Sequence, residues 1–248
     1  MRSFTLPLAL LASLGGGCVD DSVDGGIFVT KNVAPGDNCT FTSTESELFL
    51  PHGVWSVLSP GGYLAFPQMS SRITATAAQE DQRTVILQGA RIDVEITDPV
   101  LAGELDLQGL AAAGVTRFQS LFTAPLAPNG GITDGSIELI PRRLIDEIIA
   151  VRPDISPTAQ NPVPFRTELL ASFVVFGELA GEEVTSQRFS FPVTLCNDCV
   201  VNNFGACPLS FEGDEGNPCN PYQDGEVDCC VDPIRGLLCP GPSASTAR

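Results

Sequence analysis

Nine cysteines, a single histidine and a scatter of carboxylates are the groups in this 248-residue chain that could do chemistry. Cysteine comes first, because its environment selects among acylation, a disulfide, a metal thiolate and a redox thiol. Cys18 and Cys39 lie early, and seven follow late: Cys196, Cys199, Cys207, Cys219, Cys229, Cys230 and Cys239. An odd cysteine in an exported chain needs a role of its own. Giving Cys18 to a lipid leaves eight, all able to pair where thiols are oxidised. Seven of those sit in one C-terminal stretch, so pairing within the chain sends Cys39 to a partner there. That bond closes a loop of more than about 150 residues, for which the chain-entropy expression gives about 5 kcal/mol. Adjacent Cys229 and Cys230 take different partners, since a vicinal bond is strained. Beyond that the connectivity stays open, with about a hundred pairings of eight cysteines available.

Zinc and redox uses are weaker. Cys196-x2-Cys199 is half of a zinc-site pattern, but Cys207 and Cys219 lack the matching spacing, and exported thiolates oxidise readily. A redox CxxC gains a low pKa at a helix N-terminus, whereas Cys196 ends a predicted strand.

The one histidine is His52, in Leu50-Pro51-His52-Gly53. Any Ser-His-Asp or Cys-His site must use it. Its proline and glycine neighbours mark a solvated loop, and no G-x-S-x-G elbow is present. No catalytic residue is assigned. Carboxylates are so frequent that no single pair stands out, and glycosidase chemistry needs a facing geometry that spacing in a β-rich chain cannot reveal. One Trp and two Tyr supply few sugar-stacking platforms. Asp224-Gly225-Glu226-Val227-Asp228 places oxygens as an EF-hand loop begins, yet Cys229 stands where glycine belongs and Arg235 where the bidentate Glu belongs. The residual cofactor candidate is an irregular calcium site near Asp214, Asp224, Glu226 and Asp228. A solvated acidic loop is the simpler reading. Asn38-Cys39-Thr40 matches the N-glycosylation sequon.

The N-terminus sets the compartment. Arg2 precedes an apolar stretch over 4–14, and Gly15, Gly16 and Gly17 lead into Cys18. This is the layout of a signal peptide over 1–17, too short to span a bilayer. Small residues directly before Cys18 resemble the lipobox of bacterial lipoproteins, with Gly15 in place of the usual leucine. The resemblance implies that Cys18 is diacylated and becomes the mature N-terminus. Two acyl chains anchor stably where one holds only marginally. Residues 18–26 then read as a lipid-anchored tether, with the membrane as partner through that lipid. The formal net charge of −17 repels phosphate backbones, which excludes nucleic acid as a partner. With 43% hydrophobic and 17% charged residues, the chain is not a disordered acidic tail.

The elements that must position these groups are strands. Over 90–97, Ile92, Val94 and Ile96 alternate with Arg91, Asp93 and Glu95, the period of a strand with one wet face. Residues 188–195 repeat it with Phe189, Phe191, Val193 and Leu195 inward, and Pro192 places that strand at an edge or end. Residues 169–176 are more densely apolar, and 178–183 joins these two runs as a hairpin. Further strands are expected over 27–32, 54–58, 63–68, 84–88, 103–108, 116–123 and 132–140. One helix is expected after Pro141, where Leu144, Ile145, Ile148 and Ile149 share a face and Pro153 lies beyond the end. Roughly nine short strands between turn signals predict an all-β fold: an antiparallel immunoglobulin-like β-sandwich over 27–196 with one short helix. Residues 197–240 form a disulfide-rich C-terminal appendage that cannot build a core unaided, and 241–248 a disordered tail.

Phe189-Ser190-Phe191-Pro192-Val193-Thr194-Leu195-Cys196-Asn197-Asp198-Cys199, with the run over 172–177 and Glu182-Glu183-Val184-Thr185-Ser186 before it, resembles a family of uncharacterised lipoproteins from myxobacteria and their relatives. The later Cys219-Asn220-Pro221-Tyr222-Gln223-Asp224-Gly225-Glu226-Val227-Asp228-Cys229-Cys230 fits their cysteine-rich ending. The resemblance implies an outer-membrane or cell-surface location and a β-rich ectodomain, and it carries no activity. The expected function is a non-enzymatic envelope lipoprotein with a binding or structural role. An exported hydrolase using carboxylates or a metal, and a calcium-dependent adhesion module, are the rivals.

Overall fold

The structure is a computed structural model that describes residues 24–35, 39, 49–156, 163–197, 199–208 and 213–239. Cys18, Asn38 of the sequon and the tail 241–248 lie outside the described residues. Fourteen strands and four short helices follow one another: β1 (Asp24–Asn32), β2 (Gly53–Ser56), β3 (Tyr63–Ala65), β4 (Pro67–Ser71), α1 (Glu80–Arg83), β5 (Val85–Ile96), α2 (Pro99–Glu104), α3 (Leu107–Ala112), β6 (Arg117–Leu126), β7 (Ile132–Asp134), β8 (Ile137–Ile140), α4 (Arg142–Val151), β9 (Arg166–Leu179), β10 (Glu182–Ser186), β11 (Phe189–Cys196), β12 (Val201–Ala206), β13 (Val227–Asp232) and β14 (Gly236–Leu238). The fold is mostly β, and among the described residues α4 is the one helix longer than two turns. No described helix is long and apolar enough to cross a membrane.

The fourteen-residue β9 is the trunk of a nine-stranded sheet. One of its edges carries β5, which in turn carries β6. Its other edge is shared by β11, opposite Arg166 to Phe173, and β10, opposite Phe176 to Leu179. From there the sheet forks: β11 continues to β2, and β10 continues through β1 and β4 to β7. The second branch curls back onto β6. Gly135, just after β7, lies so close to Phe122 of β6 and Met69 of β4 that an added Cβ would be 2.9 and 3.1 Å from them. The small sheet β3–β8 packs across this curl, where the Glu138 amide donates to Ser120 Oγ at 3.0 Å.

Alternation accounts for the strand faces. In β5 the buried set is Val85 and Leu87, then Ala90, Ile92, Val94 and Ile96. A bulge at Leu87/Gly89 switches phase between the halves, fusing into one strand what reads as two. Gly89 is needed there, since a Cβ would sit 2.7 Å from the Ser120 carbonyl. The core gathers Trp55, Tyr63, Met69, Phe173, Phe191 and Ile137, each 2% exposed or less. Leu144, Ile145 and Ile148 bury the apolar stripe of α4 against it, each contributing roughly 1.5–3 kcal/mol. Arg142 in the first turn of α4 donates to the carbonyls of Val57 and Ser59, tying the helix to the β2–β3 connection.

The structure corrects several local expectations. The strand expected over 103–108 is replaced by α2 and α3. Asp98 accepts from the amides of Val100 and Leu101 with Pro99 in the first turn, and Asp106 accepts from Gly109. Two capped starts outweigh a short apolar alternation. The expected strand over 132–140 divides into β7 and β8. The hairpin expected between β9 and β11 contains β10, entered through a left-handed turn at Ala180 and Gly181. Pairing is mainly antiparallel, but β1–β10, β2–β11 and β12–β13 run parallel. Pro192 lies inside the sheet without conflict, because β2 begins opposite Val193, leaving the proline beside an open edge.

Candidate functional site

The eight cysteines from Cys39 onward form four bonds: Cys39–Cys219, Cys196–Cys199, Cys207–Cys230 and Cys229–Cys239. Two of them lie within the three-stranded appendage β12–β13–β14. One links that appendage across 180 positions to Cys39.

Beside that link, residues 220–224 fill a seam between two sheets. On one side is β2, the outer strand of its branch. The Ser56 amide donates to the Tyr222 carbonyl at 3.0 Å, and the Asp224 amide donates to the Val54 carbonyl at 2.9 Å. Trp55 and Gln223 pair between them as an antiparallel bridge. On the other side is β3. The Gln223 carboxamide accepts from the Leu64 amide at 2.8 Å and donates to the Leu64 carbonyl at 2.7 Å, as a neighbouring strand would. Asn220 donates to the Gly62 carbonyl at 2.6 Å. Gln223 is 1% exposed, so these bonds replace water that it cannot reach.

Asp224 completes the seam. Its carboxylate accepts from the Val54 amide at 2.7 Å, the Tyr63 hydroxyl at 2.7 Å and Gln223 Nε2 at 3.0 Å. Burial pushes the Asp224 carboxyl above its ordinary value, outweighing the three donors and nearby His52, which pull it down. Burial likewise holds Tyr63 well above the usual phenol range, reinforced by the Asp224 charge, so Tyr63 stays a donor.

The calcium candidates fall at two places in this geometry. Asp224 faces the seam with both oxygens occupied. Asp214 and Asp228 do meet, but to brace the appendage. The Asp214 amide donates to Asp228 Oδ2 at 3.0 Å, Asn202 donates to Asp228 Oδ1 at 3.1 Å, and Asp214 Oδ1 accepts from the Gly216 amide at 2.8 Å. Glu226 is exposed beside them. Among the described residues no three His, Cys, Asp or Glu side chains converge to hold a metal. His52 shares a 2.8 Å hydrogen bond through Nε2 with Thr194 Oγ1, on the neighbouring strand β11. Thr194 is only 7% exposed, so the pair reads as a satisfied contact between the residue before β2 and β11 rather than a nucleophile and base.

The open surface lies elsewhere, on the outward face of β6, β5, β9 and β11. Register sets Arg117, Asp93, Ser172 and Ser190 in one row across these strands. Arg117 pairs with Asp93 at 3.3 Å, and the Ser172 and Ser190 hydroxyls meet at 2.8 Å. One row away, Arg91 pairs with Glu183 at 2.8 Å and lies over the Phe176 ring. Arg188 stands at the end, exposed and without an ion pair among the described residues. A cleft of about 380 Å³ runs over this face beneath Leu107 and Ala111 of α3, and one of about 350 Å³ adjoins it along Arg91, Val174 and Arg188. The clue in the sequence was the outward set Arg91, Asp93 and Glu95, but alternation cannot say which strands extend that face.

Comparison with known protein families, curated proteins and solved structures returned no match.

Proposed function

We propose that this protein is a non-enzymatic component of a bacterial cell envelope, exported, anchored through acylated Cys18, and displayed to bind a protein or surface partner. The reading is carried by the outward sheet face. It is open, centred on β9, and lined by side chains of both signs, with Arg188 at one end exposed and without an ion pair among the described residues. Interfaces of this mixed character steer and align a charged partner. Four disulfides support maturation in an oxidising compartment, and the apolar leader with its small residues before Cys18 supports the anchor. The acidic surface as a whole argues for a partner other than nucleic acid.

Two measurements test the reading. Cells given a clickable fatty acid should label the wild-type chain and not Cys18→Ala, and the unlabelled variant should leave the membrane fraction. In-cell crosslinking should join the wild type to a defined envelope partner, and Arg117→Glu/Arg188→Glu should lose that product while folding normally. Persistent labelling of Cys18→Ala removes the anchor. An unchanged crosslink in the double variant removes the sheet face.

A further inference from the structure

We propose that the seam between β2 and β3 is a strand-acceptor site, and that two copies of the chain dimerise by exchanging residues 220–224 into each other's seams. The seam recognises its occupant by backbone pairing to Val54 and Ser56 and by the carboxamide clasp on Leu64, with Asn220 on Gly62 and Asp224 under Tyr63. Those contacts specify this segment closely, and a second copy supplies it identically. A closed monomer and an exchanged dimer therefore differ only at the connecting hinge and in the effective concentration of the segment.

Two independent features make the appendage separable. It is a unit of its own, with β12, β13 and β14 held together by Cys207–Cys230 and Cys229–Cys239. Among the described residues a cleft of about 520 Å³ also opens along its boundary, between Leu58 and Asn197 on one side and Tyr222, Arg235 and Leu237 on the other. The hinge is Val200, the first residue beyond the Cys196–Cys199 bond, whose φ of 56° is a conformation a β-branched residue adopts only under strain. If the appendage leaves, β2 becomes an open edge and Leu64 loses both backbone partners, a state that strand addition relieves. The Cys39–Cys219 bond then fixes whichever form is present when it closes, within one chain or between two.

Pairing two single variants in a Cys18→Ser full-length background tests this directly. Cys39→Ser keeps Cys219, and Cys219→Ser keeps Cys39, so the native bond can form only between the two chains. Mixed at micromolar concentration in a glutathione redox buffer, they should yield a heterodimer that peptide mapping joins at Cys39 and Cys219. Adding Asn220→Ala/Gln223→Ala to the Cys39→Ser chain should cut the yield at least tenfold. No heterodimer, or a yield indifferent to those seam substitutions, overturns the proposal. Should the single variants fail to fold, the same chain with all eight later cysteines intact is reoxidised over a range of concentrations. A dimer carrying interchain Cys39–Cys219 and growing with concentration supports exchange, and monomer at every concentration overturns it.

Discussion

Tyr63 and Asp224 lie 161 positions apart and share a 2.7 Å hydrogen bond where the appendage meets β3. The phenol is fully buried in the core, and the carboxylate arrives from a cysteine-rich stretch whose Phe204, Val231, Ile234 and Leu237 are exposed. The appendage therefore owes its place to disulfides and a few well-satisfied polar contacts rather than to apolar burial.

Removing the Tyr63 hydroxyl tests that bond. Tyr63→Phe leaves Asp224 Oδ2 with Gln223 Nε2 alone, and should cost about 1.5–3 kcal/mol in urea unfolding, the range for hydrogen bonds to charged groups. Gly53→Ala should destabilise by a different route, because its methyl would collide with the Tyr63 ring and hydroxyl.

Asp224 also gives a pH signature. Its carboxyl is raised in the folded state, so at pH between the ordinary and the raised value the native protein holds a proton that the unfolded chain has released. Stability should therefore fall as pH rises from the ordinary carboxylate value through the raised one. Asp224→Asn, with no proton to lose, should flatten that part of the profile when unfolding free energy is measured against pH.

The four disulfides should contribute unequally. Cys39→Ser/Cys219→Ser opens a loop of 180 positions and should cost up to about 5 kcal/mol on the chain-entropy expression. Cys196→Ser/Cys199→Ser opens a separation of only 3 and should cost several-fold less. Thermal unfolding of the two double variants side by side gives the order.

Packing and surface pairs should separate just as clearly. Ile148→Ala leaves a cavity under α4 and should cost about 2–5 kcal/mol. Breaking the exposed Arg91–Glu183 pair by Glu183→Ala should cost less than about 1 kcal/mol.

Much of the fold can be read from local pattern. The alternation at Ile92, Val94 and Ile96 marks β5, and the stripe at Leu144, Ile145 and Ile148 marks α4, because burial on one face writes a period into a chain. Cysteine parity alone directs Cys39 toward the C-terminal stretch. Local pattern is silent where the deciding contact is distant. Nothing near Asn220, Gln223 or Asp224 signals that Gly62, Leu64 and Tyr63 are their partners, so Asp224 reads as part of a solvated acidic loop when taken with its neighbours alone. Nor does alternation reveal that β9 offers one edge to both β10 and β11, or that β1 and β2 join their neighbours in parallel. The short helices α2 and α3 were legible in Asp98-Pro99 and in Asp106, and the apolar residues around them obscured those caps.

The proposed maturation where thiols oxidise and the closure of the appendage onto the seam share one chemical signature, the Cys39–Cys219 bond. Alkylating the protein as it leaves the cell, without reductant, and mapping its peptides tests both together. The expected product is a peptide carrying Cys39 joined to Cys219, with no alkylated thiol from Cys39 to Cys239. Cys39 and Cys219 both recovered as alkylated thiols would contradict it.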